Sequence, residues 1–176
     1  ISGFNTHSVT NMNTMFRGCS KLTSLNVSSF DTQNVSTMSL MFYGCSGLIS
    51  LNLSNFNTEN VTDMKSMFSG CSGLTSLDVS NFDTQKVIVM ASMFNGCENL
   101  ESLNLVSFSF DAGPTTLSMF KETCKSVTNK PVSIYVTAEG KNYIETKRVS
   151  DINNSYAVLT VYDESGFGVP DGENNG

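Results

Sequence analysis

The side chains most able to do chemistry in this sequence are five thiols, nine methionine thioethers and one imidazole. A thiolate nucleophile needs one particular cysteine beside a base. Four cysteines instead recur at an interval of 26 residues, and the fifth follows 27 residues later. They are Cys19, Cys45, Cys71, Cys97 and Cys124. Because the single imidazole of His7 cannot activate four equivalent thiols, we interpret the cysteines as small, buried, reduced core residues.

Two kinds of metal site are alternatives to this interpretation. Thioether and thiolate ligands select copper(I), but methionines at helical spacing are far more often core residues. Asp31, Asp83 and Asp111 lie in predicted turns, and calcium takes about six to eight oxygen ligands, which isolated carboxylates do not supply. The sequence therefore predicts no metal site, no cofactor, no catalytic residue and no enzymatic activity.

A repeated segment positions these residues. Met64-Lys65-Ser66-Met67-Phe68-Ser69-Gly70-Cys71 has close copies at 12–19, 38–45 and 90–97. A fixed period of this size is the signature of a solenoid. We expect an α/β, leucine-rich-repeat-like solenoid of about four to five repeats over residues 1–128, with a parallel sheet on one face and short helices on the other.

Each repeat contains a stretch in which apolar and polar residues alternate, the pattern of a half-buried strand. The first is 24–28, whose apolar members are Leu25 and Val27, and Asp31-Thr32 follows with turn chemistry. Strands at the same phase should pair in parallel. Their outward side chains are the predicted binding residues Ser24, Asn26, Ser50, Asn52, Ser76, Asp78, Ser102 and Asn104.

The segment from methionine to cysteine is predicted to form the short helix of each repeat. Ser36 precedes one such segment and has a side chain suited to helix capping. Met38, Met41 and Phe42 then fall on one helical face. Gly44 would end the helix in the left-handed conformation that glycine adopts most cheaply.

The repeat pattern weakens after Leu105, as expected of a terminal repeat. A terminal strand at 132–136 and a small β cap are predicted over residues 129–165, with 143–149 and 156–162 pairing as a hairpin over the open end of the core. Residues 166–176 are rich in glycine, asparagine and acidic residues, which is typical of a linker or disordered tail.

The net charge of -6 argues against nucleic acid or an anionic membrane surface as a partner, because either requires clustered lysine and arginine. No apolar run approaches the roughly 20 residues of a membrane span, so no direct membrane insertion is expected. The chain opens in the middle of a repeat, which suggests a piece of a longer protein. Exposed core at that end would favour end-to-end self-association of copies.

The stretch Leu22-x-x-Leu25-x-Val27-x-x-Phe30 resembles the leucine-rich-repeat consensus, except that phenylalanine replaces the final asparagine or cysteine. Together with Asn-Val-Ser/Thr-x-Met-x-x-Met-Phe-x-Gly-Cys, it resembles the BspA-like surface repeat, also described as the DUF285 or mycoplasma lipoprotein-type repeat, over residues 1 to about 108. The resemblance implies an extracellular or cell-surface bacterial protein, and some relatives are adhesins.

Two functions remain open. The columns of serine and asparagine would form a smooth face able to bind a host or bacterial surface protein or a glycan, which favours a recognition or adhesion module. The alternative is a non-binding spacer that displays other domains of a longer surface protein. Aromatic residues and arginine dominate protein interfaces and are missing from these columns, so the C-terminal region is a second candidate binding surface, with Tyr135, Tyr143, Arg148, Tyr156 and Tyr162.

Five N-glycosylation sequons, Asn-x-Ser/Thr, also occur in the chain. They start at Asn26, Asn34, Asn52, Asn60 and Asn153. Most follow from the repeat's own turns, and in a bacterial protein we expect them usually to carry no glycan.

Overall fold

The computed structural model describes residues 4–125, 132–152, 157–162 and 168–169. Within them the regular elements are β1 (Leu103–Asn104), β2 (Val132–Val136), α1 (Ala138–Ile152), β3 (Ala157–Tyr162) and β4 (Gly168–Val169). They form one sheet in the order β1-β2-β3-β4. β2 is parallel to β1 and to β3, and β4 is antiparallel to β3. The remaining described residues form turns and irregular backbone joined by many long-range contacts.

The predicted short helices of the repeats are wrong, because the backbone of the Met-to-Cys segments bonds to the next repeat. The N–H groups of Met38, Leu40 and Phe42 donate to the carbonyls of Asp63, Lys65 and Met67 at 2.8–3.0 Å. The intervening N–H groups close tight turns three residues back, as from Met41 to Met38 at 3.2 Å. An α-helix needs each N–H for the carbonyl four residues earlier, so the two arrangements exclude each other.

Ser36, the predicted helix cap, and Thr62 at the same position of the next repeat serve this arrangement instead. The Ser36 hydroxyl donates to the Thr10 carbonyl at 3.1 Å, and the Thr62 hydroxyl donates to the Ser36 carbonyl at 3.2 Å. Gly44 does adopt the predicted left-handed conformation, with φ of 69°, but within a turn. Glu122 stands at the equivalent position in the last repeat and keeps the positive φ, at 58°.

The predicted strands form only in the last copy, at β1. Residues 50–53 make no backbone hydrogen bond to the equivalent segments on either side within the described chain. A side chain satisfies one of these carbonyls instead: the Asn81 amide donates to the carbonyls of Leu53 and Phe56 at 3.0 and 2.9 Å. β1 has a ladder because β2 lies beside it in register, with Leu103 opposite Ile134.

The apolar side chains form one core that runs through all the repeats. Phe16, Phe42, Phe68 and Phe94 stack with ring centroids 5.6–5.8 Å apart and planes within 7°. Phe120 continues the stack at 6.1 Å. The inward and outward alternation predicted for the polar stretches is also present, since Leu51 and Leu53 are buried while their polar neighbours are exposed.

The C-terminal part differs from the predicted hairpin. The strand at Val132–Val136 is confirmed, but residues 143–149 belong to α1. Its first turn is held by the Thr137 hydroxyl, which accepts a hydrogen bond from Gly140 N–H at 3.0 Å. Because β3 is parallel to β2, the chain needs a crossover between them, and α1 supplies it. β4 lies within the stretch interpreted as a tail.

Candidate functional site

The eight predicted binding residues lie on one side of the repeats, and all are exposed. We call them the polar face: Ser24, Asn26, Ser50, Asn52, Ser76, Asp78, Ser102 and Asn104. Two open depressions run along it. One of about 590 Å³ is lined by the members from repeats two to four, and one of about 420 Å³ by those from the first two repeats. The structure therefore gathers the predicted residues on one continuous surface.

The asparagine and aspartate oxygens of the polar face are used by their own turns. Each Oδ1 accepts a hydrogen bond from the N–H two residues later, at 2.9–3.0 Å. The Ser80 N–H, and then the Ser80 side chain, donate to Asp78 and lower the pKa of its carboxyl. Asp78 is therefore ionised at neutral pH, and the larger depression has one carboxylate and no cationic side chain in its lining.

Sequence reasoning missed a column of buried threonines. Thr6, Thr32, Thr58 and Thr84 are at most 3% exposed. Each hydroxyl donates to a backbone carbonyl 25 residues later, at 2.8–3.2 Å. In the case of Thr32, the Asn57 N–H also donates back to the hydroxyl at 2.8 Å. The sequence predicts turn chemistry at Thr32, Thr58 and Thr84, but their fixed position two residues after a core phenylalanine is also a signal of burial.

Four of the five thiols are buried core groups, as predicted, and Cys19 in the first repeat is half-buried. Cys45, Cys71 and Cys97 are free and fully buried, and their Sγ atoms donate to backbone carbonyls of the preceding repeat at 3.0–3.2 Å. Burial raises the pKa of Cys45 to about 11 and that of Cys71 to about 12. The phase shift of Cys124 is explained by Thr123, whose hydroxyl takes the thiol position and donates to the Phe94 carbonyl at 2.8 Å.

The imidazole of His7 lies on the surface beside a carboxylate. Its Nδ1 is 2.9 Å from Asp31 Oδ2 and 3.1 Å from Gln33 Nε2. The hydrogen bond with His7, followed by that from Gln33 N–H, lowers the pKa of Asp31. In the described residues no group of three or more histidine, cysteine, aspartate and glutamate side chains is placed to hold a metal ion.

The chain matches the profile of a family described as "Mycoplasma protein of unknown function, DUF285" over residues 1–71 and again over 46–157. The chain belongs to the DUF285 family. The matched ranges include all the repeats, β2 and α1. Neither the curated proteins nor the solved structures contain a match to it.

Tyr143, in the C-terminal region of this DUF285 chain, is used for packing. Tyr143 stacks on Phe110 with ring centroids 5.4 Å apart, and its hydroxyl donates to the Pro114 carbonyl at 2.7 Å. Lys147 lies over the same ring at 5.9 Å. Tyr156 and the side chains of Arg148 and Tyr162 fall outside the described residues, so the predicted cluster is represented here by Tyr143 and the half-buried Tyr135.

No helix in the described part of the chain combines the length and apolar character needed to cross a membrane.

Proposed function

We propose that this DUF285 chain is a solenoid module for recognition or adhesion at a bacterial cell surface, and that it binds a protein or glycan partner through the polar face. The observation that carries the proposal is the gathering of eight exposed polar side chains around two depressions that share Ser50 and Asn52 in their linings. Once Oδ1 is used in the turn, each asparagine amide still offers N–H donors to a partner.

The solenoid arrangement is supported by the spacing of the contacts between repeats. Backbone bonds, buried threonines and stacked phenylalanine rings all join residues about one period apart. The resemblance to the BspA-like surface repeat supports an extracellular or cell-surface location and an adhesive role, by analogy with those relatives.

A non-binding spacer is the alternative, and one feature of the polar face favours it. Partners usually bind through buried aromatic or arginine anchors, and the eight residues of the polar face include neither. A spacer would need only the solvated surface that these short polar side chains provide.

End-to-end association of copies is a further proposal, supported by the first repeat. Phe4 is 56% exposed and Met15 is 40% exposed, whereas Met119 and Phe120 at the other end are at most 2% exposed. Apolar surface is therefore available for such contacts at the end formed by the first repeat, and Leu117 in the last repeat is also 54% exposed.

An array of host matrix proteins and glycans, probed with this chain, tests the binding proposal. The double variant Asn52→Lys/Asp78→Lys should weaken binding to any captured ligand by at least about tenfold, or 1.4 kcal/mol, because it places two cations on the face. Glu59→Lys/Gln85→Lys adds the same charge at exposed positions off the face and should bind normally. Silence across the array would favour the spacer, whereas equal binding by both variants would place the binding site off the polar face, as in the C-terminal region.

A further inference from the structure

Four of the sequons lie in the described residues, and they fall into two structural pairs. Asn26 and Asn52 belong to the polar face, whereas Asn34 and Asn60 lie in the turn that leads into a Met-to-Cys segment. An N-glycosyltransferase recognises the same Asn-x-Ser/Thr motif in all four. The hydrogen bonds of the asparagine amide and of the hydroxyl two residues later separate the pairs.

In the turn pair, both recognition groups are already bonded to the preceding repeat. Asn34 Nδ2 donates to the His7 carbonyl at 2.8 Å, and the Ser36 hydroxyl of its motif donates to a carbonyl at 3.1 Å. Asn60 Nδ2 donates to the Gln33 carbonyl at 2.9 Å, and its Thr62 hydroxyl donates to a carbonyl at 3.2 Å. Two inter-repeat bonds must open before either asparagine can react.

In the polar-face pair, both groups are available. The Oδ1 atoms of Asn26 and Asn52 accept from the N–H groups of Ser28 and Ser54 at 3.0 Å. Among the described residues neither Nδ2 atom nor either serine hydroxyl has a hydrogen-bond partner. Both asparagines are exposed and line the same open depression of about 420 Å³, which leaves room beside the amides for a sugar.

We propose that Asn26 and Asn52 are the N-glycan acceptor sites of the folded protein, and that folding closes the sequons at Asn34 and Asn60. The donor is a nucleotide-activated hexose. The asparagine Nδ2 forms a bond to the anomeric carbon, the bond from that carbon to the diphosphate oxygen breaks, and the electron pair leaves with the nucleoside diphosphate. Nδ2 loses one proton to a base of the transferase. A hexose on Asn26 or Asn52 would cover part of the polar face, but the test of the proposal does not require that a partner of that face be known.

The test uses a soluble sequon-specific N-glycosyltransferase that labels four short synthetic peptides, one for each sequon. The folded chain is then incubated with this enzyme and nucleotide-activated glucose. All four sequons fall in one tryptic peptide, 22–65, between Lys21 and Lys65, so fragmentation must locate each hexose. Asn26 and Asn52 should be labelled, while Asn34 and Asn60 should react at least about tenfold more slowly than in their peptides because two hydrogen bonds must open.

The double variant Asn26→Gln/Asn52→Gln removes both acceptors from exposed positions and should lose the labelling. Labelling of Asn34 and Asn60 in the folded chain at the rate of their peptides would overturn the proposal. So would an unlabelled Asn26 or Asn52 in a chain whose far-ultraviolet circular dichroism matches that of the folded protein.

Discussion

The two sides of each repeat have the same period but different construction. On the side of the Met-to-Cys segments, every second backbone N–H donates to the next repeat. On the side of the polar face, few backbone bonds join neighbouring copies before β1, among them Thr75 N–H to the Ile49 carbonyl at 3.1 Å. The first side is a continuous hydrogen-bonded wall over a buried core, and the second is an open surface with depressions.

This difference shows that a repeating sequence does not by itself say where the backbone bonds will form. Both sides have alternating or periodic apolar residues, and both bury them. On the Met-to-Cys side, backbone N–H groups donate to carbonyls of the next copy. On the other side, asparagine side chains donate to some of the backbone carbonyls instead. The substitutions below should lower the free energy of unfolding most on the Met-to-Cys side and least on the polar face.

Removing a ring from the middle of the phenylalanine stack should have the largest effect. Phe68 lies 5.7 and 5.8 Å from the rings on either side and is fully buried. Phe68→Ala should lower the free energy of unfolding by about 3–5 kcal/mol, measured by urea denaturation followed by circular dichroism. Phe4→Ala is the control, because Phe4 is 56% exposed, and should cost well under 1 kcal/mol. Equal losses would show that the stack is not the centre of the core.

The buried thiols should make stability fall at alkaline pH. The pKa of Cys71 is raised by burial to about 12, so the unfolded chain, with a thiol pKa near 8.5, releases the proton first. The stabilisation is complete below about pH 8.5 and is lost as pH rises toward 12, by about 1.4 kcal/mol per pH unit for one such thiol. Cys71→Ser should give a shallower fall in urea midpoints measured from pH 8 to 11, and an unchanged slope would contradict the burial of this thiol.

Gly73 tests the turn that connects the two sides. A Cβ at this position would lie 2.4 Å from the Ser46 carbonyl oxygen and 2.8 Å from that of Leu48. Gly73→Ala should therefore cost about 3 kcal/mol of unfolding free energy, because backbone must move. Gly18→Ala would meet nothing within 4 Å and carries only the strain of a positive φ of 73°, about 1 kcal/mol. A smaller loss of unfolding free energy for Gly73→Ala than for Gly18→Ala would mean that neighbouring repeats separate easily at this turn.

Replacing threonine by valine at two buried positions should have opposite effects on the stability of the fold. Thr32 exchanges two hydrogen bonds with the backbone of Asn57, so Thr32→Val leaves a donor and an acceptor unpaired and should destabilise by about 2 kcal/mol. Thr116 occupies the methionine position of the last repeat, and its buried hydroxyl has no partner among the described residues. Thr116→Val should raise the thermal midpoint, and a fall there would indicate that the hydroxyl is satisfied.

The sequence alone predicted most of the core, because burial follows residue type and period: Cys45, Cys71 and Cys97, the methionines other than Met15, and the phenylalanine stack from Phe42 to Phe120 are buried as expected. It also predicted that the residues of the polar face are exposed and that a strand forms at Val132–Val136. These features depend on which side chains avoid water, and each repeat carries that information locally.

The hydrogen-bond partners could not be predicted in the same way. The spacing of Met38, Met41 and Phe42 fits a helix and also fits tight turns that place every second N–H against the next repeat. The sequence of a single repeat does not distinguish the helix from the tight turns, because which of the two forms depends on carbonyls about 25 residues away. The same is true of α1, where residues 143–149 alternate like a strand but lie in the crossover required by parallel β2 and β3.

The smallest effect should come from the polar face itself. Asn52 Oδ1 accepts from Ser54 N–H at 3.0 Å in an exposed turn, so Asn52→Ala should cost about 0.5–1 kcal/mol of unfolding free energy, since water replaces the lost acceptor. Asp78→Asn keeps the equivalent acceptor for Ser80 and should change stability by less than about 0.5 kcal/mol. If both hold in urea denaturation, these side chains are free for a partner at little cost to the fold. A loss for Asn52→Ala approaching that for Phe68→Ala would instead place the polar face within the scaffold, and would favour the spacer over the recognition module.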